Sequence, residues 1–177
     1  MRIPLIGLGT FVIGFAAMHL AVLNAVPGFI MDKARARMTE GGIAVHEWRM
    51  GPRMTPQTQT IVRPSPDLAY AICLIDVSGG PVTLSVPTWP EYGSLSVFDS
   101  RTDNVYAGSL DARLADAPGV RTIIVALPDQ DVAEEPGIDI VRVKAPEALA
   151  LIRRLAPSQG LYDAAATLVP VSTCGPA

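Results

Sequence analysis

Charge is missing from the front of the chain: from Ile3 to Met31 there is no Asp, Glu, Lys or Arg. Chemical motifs are equally sparse along the 177 residues. No Gly-x-Ser-x-Gly elbow occurs, which argues against a hydrolase nucleophile of that type. There is no glycine-rich phosphate loop and no paired-histidine metal motif. Histidines number two, so His46 alone would have to serve any triad outside the apolar run. Net charge is only −3, with Arg and Asp scattered, which excludes the one-sided basic face of a nucleic-acid binder. Two cysteines, Cys73 and Cys174, are too few for a disulfide scaffold and lack metal spacing. Cys73, inside LAYAICLIDV, fits a buried thiol acting as a small hydrophobe. A bridge to Cys174 that pins the C-terminal tail is the alternative in an oxidising compartment.

The uncharged stretch contains an apolar run, Ile3 to Val26, of about 24 residues, enough for a helix to cross roughly 30 Å of hydrocarbon. Candidate cleavage sites, Leu23-Asn24-Ala25 and Asn24-Ala25-Val26, lack the small-x-small form, so a retained single-span anchor is expected. Arg2 flanks one end, and Lys33, Arg35 and Arg37 the other, which leans toward a cytoplasmic domain. The short N-terminal tail, the scarcity of lysine and the possible cysteine pair favour export instead. The expectation is a single-pass protein of the bacterial inner membrane with its globular domain in the periplasm. His19 lies inside the span and is the one candidate cofactor ligand, an axial donor to a haem or chlorin. A histidine bonding to headgroups or to a neighbouring helix is the plainer alternative.

The organisation read from the chain is an anchor over residues 1–27, a juxtamembrane amphipathic helix or linker over 28–42, and a β-rich domain over 43–177. Pro27-Gly28 breaks the span in this reading. Phe29, Ile30, Ala34 and Met38 form the apolar stripe of the short helix, and Gly41-Gly42 end it. Beyond Ile43, short β-type runs alternate with turn residues: IAVHEWR, a loop MGPRMTPQTQT, then LAYAICLIDV, VTLSV, SLSVFDS, TIIVALP and IDIVRV. VTLSV has the period of two that marks one buried face. PEALALIRRLAP reads as a helix, with Pro146 in its first turn and Arg153 and Arg154 in its last. A second helix is expected from Leu161 to Thr167, before a Pro-containing tail. The fold class is mainly β: an antiparallel sandwich or open barrel with one or two C-terminal helices, preceded by one transmembrane helix.

The segment VRPSPDLAYAICLIDVSGGPVTLSVPTWPEYGSLSVFDSRTDNVY carries a resemblance. Asp67 and Tyr70, then Ile75-Asp76-Val77, then Gly80 to Pro87 (GPVTLSVP) follow in order, with Tyr92, Ser94, Asp99, Thr102 and Asn104 after them. In this order the chain resembles the bacterial domain-of-unknown-function family 1254, over roughly residues 43 to 156. His46 and the Arg153-Arg154 pair fit that layout. Ser65 stands where the family has Asn, which puts any role for an amide there in doubt. The resemblance implies an exported, β-rich fold and lends no reaction. Larger members carry a second β-rich domain of the family numbered 1214, so a family-1214-like protein on another chain is an expected partner.

Asp67, Tyr70, Asp99 and Arg101 are the weak catalytic candidates, with Asp67 and Asp99 as a general acid/base pair. Turn chemistry, in which Asp and Asn bond to local backbone, competes with that reading. Asp99, Asp103 and Asn104 match no calcium loop, and no metal is expected. A hydrogen bond beneath Trp48 is expected of His46. Trp89 and Tyr92 offer an aromatic patch for sugar or lipid, or cap an open end of the sheets. The sequence therefore points to a membrane-anchored, exported accessory or assembly subunit of an envelope complex. Its partners are the lipid bilayer and another membrane or envelope chain, not nucleic acid, and no cofactor is called for. An envelope enzyme or a sugar- or lipid-binding module with a carboxylate-lined cleft is the alternative.

Overall fold

The computed structural model describes residues 3–55, 64–114 and 119–177. Arg2 and part of the MGPRMTPQTQT loop lie outside the described residues. A single helix, α1, runs from Ile3 to Glu40, 38 residues, or about 57 Å at 1.5 Å per residue. Pro27 sits inside it and does not interrupt it, contrary to the expected break. The missing Pro27 N–H leaves the Leu23 carbonyl without its intrahelical donor. That loss falls on an exposed stretch of the helix, outside the core of the domain. Residues 4–26 are exposed, whereas Met31 and Arg35 are buried, so α1 is bare for its first half and packed against the domain in its second. Phe29 and Ile30 point outward, which overturns the expected stripe: the inward line is Met31, Ala34, Arg35 and Met38. Gly42, at φ 83°, then turns the chain, and Ile43 N–H donates to the Met38 carbonyl to close the helix end.

Nine strands follow among the described residues: β1 (Trp48–Met50), β2 (Leu68–Asp76), β3 (Val82–Pro87), β4 (Gly93–Phe98), β5 (Asn104–Ser109), β6 (Val120–Ala126), β7 (Asp139–Arg142), β8 (Glu147–Leu155) and, after helix α2 (Gln159–Thr167), β9 (Thr173–Pro176). One sheet has the order β1-β2-β8-β4-β5 and is antiparallel throughout. The other has the order β7-β6-β3-β9, with β6 and β7 parallel. The two sheets close on a shared core of Cys73, Ile75, Leu84, Val86, Leu95, Val97, Ile123, Val125 and Ile152. Each such Val, Leu or Ile is worth about 1.5–3 kcal/mol of burial. The mainly β sandwich with a C-terminal helix and a long N-terminal apolar helix is the architecture expected.

Individual elements depart from expectation. EALALIRRL is not a helix but the central strand β8, paired with β2 over its whole length and with β4 over six positions. Residues that favour helices are overridden because a two-sided central strand buries Ala148, Ala150, Ile152 and Arg154 on one face. The polar NVYAGS stretch forms edge strand β5. The C-terminal tail is strand β9, and the Cys73–Cys174 disulfide ties it to β2 across the sandwich. IAVHEWR is not one strand: Val45 makes an isolated bridge to Leu74, His46 turns at φ 64°, and only Trp48 onward pairs.

Candidate functional site

The four catalytic candidates fall into two pairs at opposite ends of the larger sheet. Asp67 precedes β2, its carbonyl accepting from Ala156 N–H at 2.7 Å, and its side chain is exposed. Tyr70 pairs with Arg153, and its hydroxyl accepts from Ser65 N–H at 2.9 Å. Asp99 follows Phe98, which pairs with Leu149. Between the Ala156 and Leu149 levels β8 advances seven residues, roughly 23 Å, so Asp67 and Asp99 cannot share a substrate. Asp99 is fully buried. Its Oδ1 accepts from Arg101 N–H at 2.8 Å and from Asp103 N–H at 3.1 Å, and Thr102 in the same turn has φ 66°. This carboxylate organises the β4–β5 turn. Its Oδ2 has no hydrogen-bond partner among the described residues. His19 lies on the exposed face of α1 with its ring stacked on Phe15 at 5.9 Å, and among the described residues no cluster of three His, Cys, Asp or Glu surrounds it.

What does converge is the junction between α1 and the sandwich. Arg35 reaches from the helix to the end of the larger sheet, where Asp76 of β2 pairs with Glu147 of β8. Its Nη1 donates to the Ala148 carbonyl at 2.6 Å and the Ile75 carbonyl at 3.4 Å, while Nε lies 3.2 Å from Glu147. Nearer the start of the helix, Arg101 Nη2 donates to Asn24 Oδ1 at 3.2 Å. Beside Arg35 lies an open cleft of about 570 Å³ lined by Asp32, Thr39, Glu40, Val45 and Glu147. A second, of about 350 Å³, is lined by Val45, His46, Asp76, Ser78, Gly80 and Pro176.

Val45 lines both clefts, and His46 beside it is fixed by its backbone geometry. With φ at 64° its N–H donates to the Leu74 carbonyl, and its Nε2 comes within 2.9 Å of the Asp76 carbonyl and 3.2 Å of the Asp76 N–H. One tautomer satisfies only one of those contacts. Either way the imidazole bonds to backbone. The Asp76 carboxylate is held below its ordinary range chiefly by the Ser78 N–H, which donates to it at 2.8 Å, with smaller help from His46 and Arg35. Ring and carboxylate thus serve the β2–β3 turn and form no proton relay.

The family model for a protein of unknown function, DUF1254, matches residues 46–172. The chain belongs to the DUF1254 family. The match begins at the strained His46 and runs to the residue before β9, so it takes in most of the sandwich. The VPA0106 protein of Vibrio parahaemolyticus is similar in fold, at TM-score 0.63 and 19% identity over 89% of this chain and 38% of its own. A putative uncharacterized protein of Burkholderia cenocepacia aligns at 15% identity and TM-score 0.44, covering 66% of this chain and 32% of that one. This chain therefore spans under two-fifths of the length of either solved relative. The search among curated proteins returned no match.

Two further polar groups in the DUF1254 sandwich hold places that the sequence did not assign them. Arg154, on β8, is 1% exposed; its Nη2 donates to the Pro87 carbonyl at 3.0 Å, and burial lowers its pKa to about 10. Tyr106 on β5 donates to Asp139 Oδ2 at 2.8 Å, and burial, reinforced by that carboxylate, raises its pKa to about 12. Trp89 is buried and its Nε1 donates to the Leu155 carbonyl at 2.9 Å, whereas Tyr92 is half-exposed. Trp89 packs against Ala69, Ala156 and Ala165, and Tyr92 lies outside that cluster. Arg35 carried no distinguishing signal: in KARAR it looks like any of three cations, and Lys33 has Phe29 one helical turn earlier just as Arg35 has Met31.

Proposed function

We propose that this chain is a membrane-anchored, exported accessory or assembly subunit of an envelope complex, with its DUF1254 domain in the periplasm and without a catalytic role of its own. The observation that carries this reading is Arg35. A buried guanidinium bonded to two strand-end carbonyls and Glu147 fuses an apolar helix to a sandwich, giving a rigid mount for presenting a domain at fixed height. The separation of Asp67 and Tyr70 from Asp99 and Arg101 supports a scaffolding over an acid/base role. The Cys73–Cys174 disulfide supports export, since such bonds persist in oxidising compartments. The complex includes a second membrane or envelope chain, with a family-1214-like protein the first candidate. Extraction of the full chain from its native membranes in mild detergent, followed by mass determination of the intact assembly, tests this. Stoichiometric recovery of a second chain is the expected result. A lone monomer carrying a hydrolytic or redox activity would replace this reading with an enzymatic one.

A further inference from the structure

We infer that the β4–β5 turn, residues 99–103, rests on the phosphate layer of the bilayer and that Arg101 bonds lipid phosphate there. The inference depends on α1 being a membrane span and adds where the domain sits. A length and a contact agree. Ile3 to Leu23 is 21 residues, about 31 Å as a helix, close to the hydrocarbon thickness of about 30 Å. The next residue, Asn24, is the one that Arg101 touches, and Arg101, Thr102 and Asp103 are all exposed. A folded turn with these side chains cannot enter hydrocarbon, so it marks the upper boundary at the level where the span's length already sets it.

The sheet order then orients the whole domain. From Arg35 down to Asn24 the helix descends about 16 Å. Over that distance its contacts move from β2 and β8 to the turn after β4, that is, along the order β2-β8-β4-β5. β5 is therefore the strand nearest the membrane and β1 the farthest. In the second sheet, the Tyr106–Asp139 bond sets β7 beside β5, while the Cys73–Cys174 disulfide sets β9 beside β2. Both open edges at one side of the sandwich thus face lipid headgroups. An unpaired strand edge is a template for aggregation, and a bilayer lying over β5 and β7 shields it. Lys144 stands beside the turn at 3.4 Å from the exposed Asp103, and the other acid, Asp99, is buried beneath the turn with its Oδ1 on backbone N–H groups, so the exposed Arg101 guanidinium is open to phosphate. On the opposite side of α1, exposed Phe29 with Lys33 5.6 Å above its ring fits the same interfacial zone.

The test uses the full chain with a fluorophore on a single added cysteine, Thr102→Cys or Val171→Cys, reconstituted in phosphatidylcholine–phosphatidylglycerol vesicles containing a lipid with a nitroxide headgroup. Both native cysteines are in the disulfide, so each added thiol is unique. Strong quenching at position 102 and none at 171 is expected. Arg101→Glu in the Thr102→Cys chain is expected to lower that quenching measurably, because the turn lifts off the phosphates while Arg35 still holds the domain on the helix, and Arg101→Lys retains it. Equal fluorescence at the two positions, or quenching at 102 indifferent to Arg101→Glu, overturns the inference. Labelled chain that floats with vesicles yet stays unquenched at 102 overturns this inference alone. Chain that does not float overturns the anchor as well.

Discussion

Arg35 spends its donors on carbonyls that close two strands, so its loss leaves Ile75, Ala148 and Glu147 facing a void at the helix junction. Hydrogen bonds from a charged donor contribute about 1.5–3 kcal/mol each when buried. Arg35→Met, which keeps the aliphatic bulk, is expected to lower unfolding stability by about that amount in thermal or denaturant titrations in detergent. Arg35→Lys recovers part of it, since an ammonium reaches one carbonyl but not the fork of three acceptors. Tyr106 supplies the pH-dependent counterpart. Its folded pKa, about 12, lies above the unfolded value, so the fold binds the phenol proton more tightly. The resulting stability is fully present below the ordinary tyrosine range near 10 and is lost as pH rises toward 12. Ultraviolet titration is expected to show Tyr106 ionising late, alongside Tyr162, whose burial also raises its pKa, and Tyr106→Phe should remove its share of that late step and reduce the alkaline fall in stability.

The Cys73–Cys174 disulfide joins β2 to β9 across a separation of 101 residues and holds the outermost strand of the smaller sheet. Cys73→Ala with Cys174→Ala is expected to cost about 2–5 kcal/mol in denaturant unfolding and to speed amide exchange in β9 ahead of the other strands. The strands of alternating pattern were legible from sequence: VTLSVP faces the core with every second residue, as the observed burial of Val82, Leu84 and Val86 shows. α2 was legible too, within two residues of its observed start, with Ser158 as its cap. β8 was not, because Ala, Leu, Glu and Arg carry helical propensity and a Pro-to-Arg-pair outline, and the deciding factor was the pair of neighbours, β2 and β4, contributed by distant segments. β5 and β9 were missed for a related reason: edge strands bury little, and NVYAGS and TCGP have no apolar alternation to reveal them. Among candidate site residues, Asp99 was legible as a turn former, while its distance from Asp67 depended on register, which sequence alone does not supply.

At the scale of the whole molecule, α1 and the sandwich form one mechanical unit, although the sequence suggests a break at Pro27-Gly28. The helix emerges from the apolar run, passes Asn24, Met31 and Arg35 along the strand ends, and turns only at Gly42. In the anchoring proposed above, this fixes the height and tilt of the domain relative to the helix, as a subunit that presents a surface to a partner would need. Nitroxide labels at Val12→Cys, in the exposed part of the helix, and Val171→Cys, on the far side of the sandwich, report this directly by pulsed electron paramagnetic resonance in lipid nanodiscs. A single narrow distance distribution is the predicted result. A broad distribution extending over tens of ångströms, as from a domain swinging on a hinge at Pro27, would contradict it.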